Sequence, residues 1–160
     1  MDLDLEAKKT LLRKIPHGLF ICTVREGDEI NGFTASWVTQ GSFVPPLVVM
    51  AVRADGSSHG MINRTKKFCL NVLRSDQKEL AAIFFKPQKG LGGRFESTVY
   101  TFGENGLPVL EDGIGGLECN VINSIEHGDH TVFVAEVVSA VVHNDTNPLI
   151  LSETGWSYGG

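Results

Sequence analysis

Three stretches of this chain combine residue types that packing alone does not require. The first is Gly32-Phe33-Thr34-Ala35-Ser36-Trp37-Val38-Thr39-Gln40-Gly41-Ser42, where small hydroxyl side chains recur ahead of Pro45-Pro46. Small side chains let a ligand approach the backbone, whose N–H groups and neighbouring hydroxyls then serve as donors. A Thr-rich edge strand and turn accounts for the same residues without a ligand. The second stretch is Arg53-Ala54-Asp55-Gly56-Ser57-Ser58-His59. A Gly-Ser-Ser turn opening a helix presents backbone N–H groups, hydroxyls and the positive end of the dipole to a phosphate. Arg53 adds a guanidinium fork suited to phosphate oxygens, while plain capping by Ser57 or Ser58 is the structural alternative. The third is Gly128-Asp129-His130, where a histidine can act as acid, base, metal ligand or orienting donor, or simply satisfy a turn.

Other chemistries lack support. His127 and His130 lack the HExxH or two-His-carboxylate spacing of a metal site, and Cys22, Cys69 and Cys119 form no CxxC. No GxSxG elbow occurs. The Gly90-Leu91-Gly92-Gly93 loop precedes no suitable helix, so neither a P-loop nor a Rossmann nicotinamide domain is expected. Fourteen Lys+Arg against nineteen Asp+Glu give a net charge of −5, which argues against nucleic acid as a partner. No apolar run approaches the roughly 18 residues of a membrane span. An acidic N-terminus unlike a secretory signal, with a sparse, odd set of cysteines, predicts a cytoplasmic protein with free buried thiols.

The elements that must position these residues follow from periodicity. With 160 residues, 42% hydrophobic and 21% charged, the chain can bury one core and is expected to form a single domain over 1–160. Apolar positions at Leu3, Ala7, Leu11, Leu12 and Ile15 predict a helix over 3–15, stopped by Pro16 and Gly18. Residues 19–24 and 30–38 read as a hairpin around Gly27-Asp28. Residues 47–52 (LVVMAV) read as a central strand, 57–65 as a short helix and 68–73 as a strand. Asp76 and Glu79 resemble a capping box opening a helix through Phe85. Residues 86–94 read as a Gly-rich, basic loop. Strands follow near 99–102, 115–126 and 130–142. Six or seven strands, mostly with connections too short for crossover helices, predict an antiparallel, mainly β barrel with a few short flanking helices.

Taken in order, several segments resemble the flavin reductase-like family, whose fold is the FMN-binding split β-barrel. They are Lys14-Ile15-Pro16-His17-Gly18-Leu19, Thr34-Ala35-Ser36-Trp37, Ser42 ahead of Pro45-Pro46-Leu47, and Phe68-Cys69-Leu70-Asn71-Val72-Leu73. Then come Arg94-Phe95, Gly106-Leu107-Pro108-Val109-Leu110, Leu117-Glu118-Cys119, Gly128-Asp129-His130, Pro148-Leu149 and Tyr158-Gly159. The similarity runs from about residue 12 to 159. The segment SWVTQGSFVPP also resembles the flavin reductase module of cyanobacterial flavodiiron proteins.

The resemblance implies a role for each matching residue. Thr34, Ala35, Ser36 and Trp37, with Gln40 and Ser42 beyond, correspond to the segment that wraps the isoalloxazine ring. Trp37 departs from the Ser of many members. Arg53, Ser57 and Ser58 correspond to the loop that holds the ribityl phosphate, and Arg94 to a basic residue near it. His130 corresponds to the histidine beside the flavin face, where nicotinamide stacks, and Tyr158 lies in a tail at the same pocket. Implied with them are FMN, with FAD possible, NAD(P)H as co-substrate, a homodimer, and a partner monooxygenase or other acceptor of reduced flavin. Hydride transfer from nicotinamide C4 to flavin N5 needs stacked rings and no ionised side chain, which suits a sequence without paired carboxylates. Two other readings stay open: an FMN-binding electron-transfer or redox-sensing module without nicotinamide activity, and a split barrel holding another planar ligand such as haem, through His17 or His59.

Overall fold

The β-branched and aromatic runs form strands in the computed structural model, which describes residues 1–160. The order is α1 (Leu5–Leu12), β1 (Phe20–Glu26), β2 (Glu29–Ala35), β3 (Val38–Ser42), β4 (Leu47–Arg53), α2 (Ser57–Thr65), β5 (Lys67–Val72) and α3 (Lys78–Ile83). Short strands β6 (Gln88–Gly90), β7 (Tyr100–Phe102) and β8 (Pro108–Leu110) precede the long β9 (Gly115–Ile125) and β10 (His130–Val142). All ladders are antiparallel; eight strands form one sheet in the order β3-β4-β10-β9-β5-β1-β2-β6, and β7 and β8 form a separate ribbon.

The mainly β, antiparallel expectation holds, with ten strands: one expected strand is split, β6 forms inside the 86–94 stretch expected to be a loop, and β8 forms where no strand was expected. The single strand expected over 30–38 is two strands. β2 ends at Ala35 beside β1, and β3 begins at Val38 beside β4, at the opposite end of the sheet. In a flat sheet those two positions, six strand intervals apart, would be separated by about 29 Å at ~4.8 Å per strand. Ser36 and Trp37 are the only residues between them, and three Cα steps reach at most about 11 Å. The sheet must therefore curl until its ends meet. Register shifts between Val134 and Ala135 and between Val137 and Ser139 supply bulges that bend the two longest strands.

Curling creates two cores. Cys22, Val24, Met50, Val52, Phe68, Leu70, Cys119 and Phe133 fill the inside, closed by Met61 and Ile62 of α2. Ile21, Ile30, Leu73, Ala81, Phe84, Phe95 and Tyr100 pack on the outside. Strand β1 is buried on both faces from Ile21 to Val24, with Thr23 the polar residue in that stretch. The LVVMAV strand, by contrast, buries alternate residues only: Val48, Met50 and Val52 face inward, while Leu47, Val49 and Ala51 stay half-buried. It lies second from the sheet's end, not at its centre. The three cysteines are free and buried, and burial pushes the Cys119 thiol up to about 12.

Two helical expectations change. The first helix spans only Leu5–Leu12, because the Asp4 carboxylate accepts from the Glu6 and Ala7 N–H groups. None of its residues is buried, so its apolar stripe faces outward. The Asp76–Glu79 capping box does not form. Asp76 instead pairs with Arg74, and α3 starts after Gln77, whose side chain bonds the Arg74 N–H and the Asp112 carbonyl. No helix is long and apolar enough to cross a membrane.

Asn71 ties the layers together. Its Nδ2 donates to the Ile21 carbonyl (3.0 Å) and Thr23 Oγ1 (3.2 Å), and its Oδ1 accepts from the Leu110 N–H (2.8 Å), all out of water. Asn71→Ala leaves buried backbone groups unpaired and should cost about 2–4 kcal/mol in denaturant unfolding. A loss below about 0.5 kcal/mol, the size of an ordinary surface change, would contradict this reading of Asn71.

Candidate functional site

The seam where β2 hands over to β3 opens into a cavity of about 710 Å³. Its walls come from the end of β2 and the Ser36-Trp37 link, the C-terminal end of β4, the start of α2, the first residue of β10, the chain after α3, and the C-terminal tail. Pairing of Arg53 with His130 across β4 and β10 brings the second and third sequence segments side by side. The Ala54 N–H bonds the Asp129 carbonyl (3.0 Å) and fixes the loop that follows.

One end of the cavity is polar. Helix α2 begins at the Gly56 N-cap, and no side chain caps its first N–H groups. Ser58, the second residue of the helix, is 4% exposed, and its hydroxyl has no hydrogen-bond partner. A buried orphan hydroxyl beside free helix N–H groups is the donor set that an anion satisfies. The Arg53 guanidinium grips Asp55 through Nε–Oδ1 (3.1 Å) and Nη2–Oδ2 (2.7 Å), which holds the Asp55 carboxyl below the usual carboxylate range. Behind them, His59 Nε2 meets Thr131 Oγ1 at 2.7 Å, so this ring nitrogen is already engaged.

The opposite wall is apolar, built from Leu19, Phe33, Phe85, Leu151 and Trp156. Trp156 meets Phe85 edge-on, with centroids 4.8 Å apart, and carries Lys78 Nζ over its ring at 4.9 Å. These contacts brace an aromatic flank.

A third group covers the mouth. The Trp37 indole lies 4.4 Å from the His130 ring, tilted by 33°, and 5.0 Å from the Tyr158 ring. Trp37 Nε1 donates to the Tyr158 carbonyl (3.3 Å), and Arg13 Nε donates to the Gly159 carbonyl (3.0 Å). Both His130 nitrogens are engaged: Nδ1 with Asp129 Oδ1 (2.7 Å) and Nε2 with the Tyr158 hydroxyl (2.8 Å). The bond from His130 keeps the Asp129 carboxyl below its usual range. Burial, reinforced by the Asp129 and Asp55 carboxylates and opposed by Arg53, raises the Tyr158 phenol.

Of the residues singled out from the sequence, Thr34, Ala35, Ser36, Trp37, Arg53, Ser58, His130 and Tyr158 line this one cavity. The Thr34 hydroxyl donates to the Ala81 carbonyl (2.7 Å), which holds β2 against α3. Gln40, Ser42, Ser57 and Arg94 lie elsewhere. Gln40 bonds the Ser42 carbonyl along β3, since that strand runs away from the seam once the chain has switched ends. Ser57 sits one residue off the helix face that meets the cavity, and its hydroxyl accepts from Asn31 Nδ2 (3.3 Å). Arg94 is exposed in the bridges with Leu91 and Val99. Phe85, Trp156, His59 and Asp55 join the site through the fold. Only Asp55 and His59 had a sequence signal, because both fall inside the Arg53-to-His59 segment.

Comparison with known proteins bears on what occupies such a cavity. A family profile described as "flavin reductase like domain" matches residues 12–158. A putative diflavin flavoprotein of a Nostoc species is 36% identical over 132 residues, covering 82% of this chain and 23% of that protein. This chain thus spans about a quarter of the length of that relative. An NADH-dependent FAD reductase of Streptomyces globisporus is 33% identical over 127 residues, covering 78% of this chain and 69% of the relative. The solved NADH:FAD oxidoreductase of Streptomyces globisporus C-1027 superposes with a TM-score of 0.81 at 26% identity, covering all of this chain and 91% of that one.

The tail contacts make the mouth testable by fluorescence. In a Trp156→Phe background, deleting residues 157–160 should shift Trp37 emission to the red as solvent reaches the indole. Unchanged emission would show that the tail does not cover Trp37.

Proposed function

This chain belongs to the flavin reductase-like domain family, and on that premise we propose that it is an NAD(P)H-dependent flavin oxidoreductase. Its cavity takes a flavin nucleotide, FMN in the leading reading with FAD as the second candidate. The observation that carries this is the uncapped start of α2 with the orphan Ser58 hydroxyl and Arg53, set in a cavity that is otherwise lined largely by apolar and aromatic side chains. That is the chemistry of a phosphate joined to an aromatic ring system.

The bound flavin would supply the redox chemistry, with its N5 accepting hydride from C4 of reduced nicotinamide. The protein's part is to orient and to exclude water. Gly56, Ser58 and Arg53 hold the phosphate. The backbone of residues 34–36 and the Phe33, Phe85 and Trp156 side chains would receive the ring system. His130, steered by Asp129, orients the nicotinamide amide once Tyr158 yields its place. No residue here needs to act as a base.

A homodimer accords with the apolar surface this chain leaves open, where Phe43 and Val44 are 87% and 90% exposed beside the half-buried outer face of β4. Reduced flavin produced here would pass to a monooxygenase or another acceptor in the cytoplasm.

A second reading, a flavin-binding module without nicotinamide activity, draws on a specific feature. Tyr158 occupies His130 Nε2 and packs on Trp37, so the mouth is covered. Turnover separates the two. Purified protein with FMN or FAD should oxidise NADH or NADPH above the protein-free background. His130→Ala should then raise the apparent KM for the nicotinamide roughly tenfold, the loss of about one hydrogen bond to a bound substrate, with flavin affinity unchanged. An unaltered KM removes His130 from that role. Flavin quenching without turnover selects the module, and the absence of both contradicts each reading.

A further inference from the structure

Asp55 stands immediately before the Gly56 N-cap of α2, where a carboxylate is favoured by the positive end of the helix, and it makes no capping bond. Its carboxylate is turned onto Arg53 in a two-point contact instead. The Gly56 N-cap has no side chain, so the helix N–H groups and the Ser58 hydroxyl are free, while the guanidinium of Arg53 is already neutralised. A second carboxylate, Asp129, acts on Arg53 electrostatically and is engaged with His130. An incoming phosphate therefore meets a cation that already has an anion in its fork.

We propose that Asp55 is a selectivity residue of the phosphate seat: it competes with the phosphate for Arg53 and so disfavours a doubly charged phosphomonoester more than a singly charged phosphodiester. The inference rests on the flavin-nucleotide reading of the cavity. A phosphomonoester such as that of FMN carries about −1.5 to −2 charge near pH 7, whereas each phosphate of the FAD pyrophosphate carries one. Repulsion by the Asp55 carboxylate scales with that charge. Displacement remains feasible, because Arg53 and Asp55 are 64% and 68% exposed and an exposed pair is weak. The loop backbone is pinned by the Ala54–Asp129 bond, so the exchange is a matter of side chains swinging apart. The consequence is a flavin that binds and leaves, consistent with a diffusing substrate more than a resident group, and a narrowed preference for FMN over FAD.

Dissociation constants for riboflavin, FMN and FAD, measured by fluorescence quenching on the full chain, test this. Asp55→Asn keeps the side chain's size and removes its charge. The variant should bind FMN roughly three- to tenfold tighter and FAD about two- to threefold tighter, magnitudes set by loss of one exposed charge pair, and riboflavin should be unaffected. Arg53→Ala should weaken FMN and leave riboflavin unaffected, narrowing the difference between them. FMN affinity unchanged or weakened in Asp55→Asn overturns the selectivity role, as does equal tightening of all three ligands. Wild-type protein that binds none of them overturns the flavin reading itself, and this inference with it.

Discussion

Ser36 and Trp37 join strands that belong to opposite ends of one eight-stranded sheet. A covalent link this short cannot be satisfied by a flat sheet, and everything else in the molecule answers to it. The bulged β9 and β10 bend to meet the requirement. Helix α2 drops Met61 and Ile62 into the interior that the curl encloses. The hydrogen-bonded ladder itself stays open, with β3 at one end and β6 at the other. Connectivity, not a closing strand pair, makes the barrel.

The same seam makes the site. A continuous ladder would fill the gap between β2 and β4 with backbone bonds. Here the Trp37 carbonyl takes the Ala51 N–H and the Ser36 carbonyl takes the Val38 N–H, so the chain turns and a cavity remains below it. The ends of β4 and β10 arrive paired through Arg53 and His130, which sets the polar corner beside the start of α2. The tail then crosses the mouth. The strand switch leaves the opening, and the start of α2, the chain after α3 and the tail line it.

Much of this was legible in the sequence because it is local. The α2 helix spans Ser57–Thr65 as its periodicity predicts, and the hairpin pairs Phe20 with Ala35 through Glu26 with Glu29 around Gly27 at φ 61°. The seam was not legible. The residues of 30–38 alternate as one strand would, and no local signal says that the partner changes from β1 to β4. The switch also leaves Gln40 and Ser42, which the resemblance put beyond Trp37 on the ring-wrapping segment, outside this cavity. The exposed stripe of α1 shows the reverse limit: an apolar period marks a helix without saying what covers it. Asp76 misled because an acidic residue near a helix start has two uses, and the nearby Arg74 guanidinium took precedence over the backbone. Phe85 and Trp156 are far apart in sequence and meet only in the fold.

The central claim is that the seam cavity, with its phosphate end at the start of α2, is where a flavin nucleotide sits. Titrating FMN into isotope-labelled protein and following backbone amide shifts tests it residue by residue. The largest shifts should fall at residues 56–59 and 34–37, with Arg25 and Lys67, which line a separate small cleft, unmoved. Shifts concentrated at that cleft, or spread evenly with none at residues 56–59, would contradict the account.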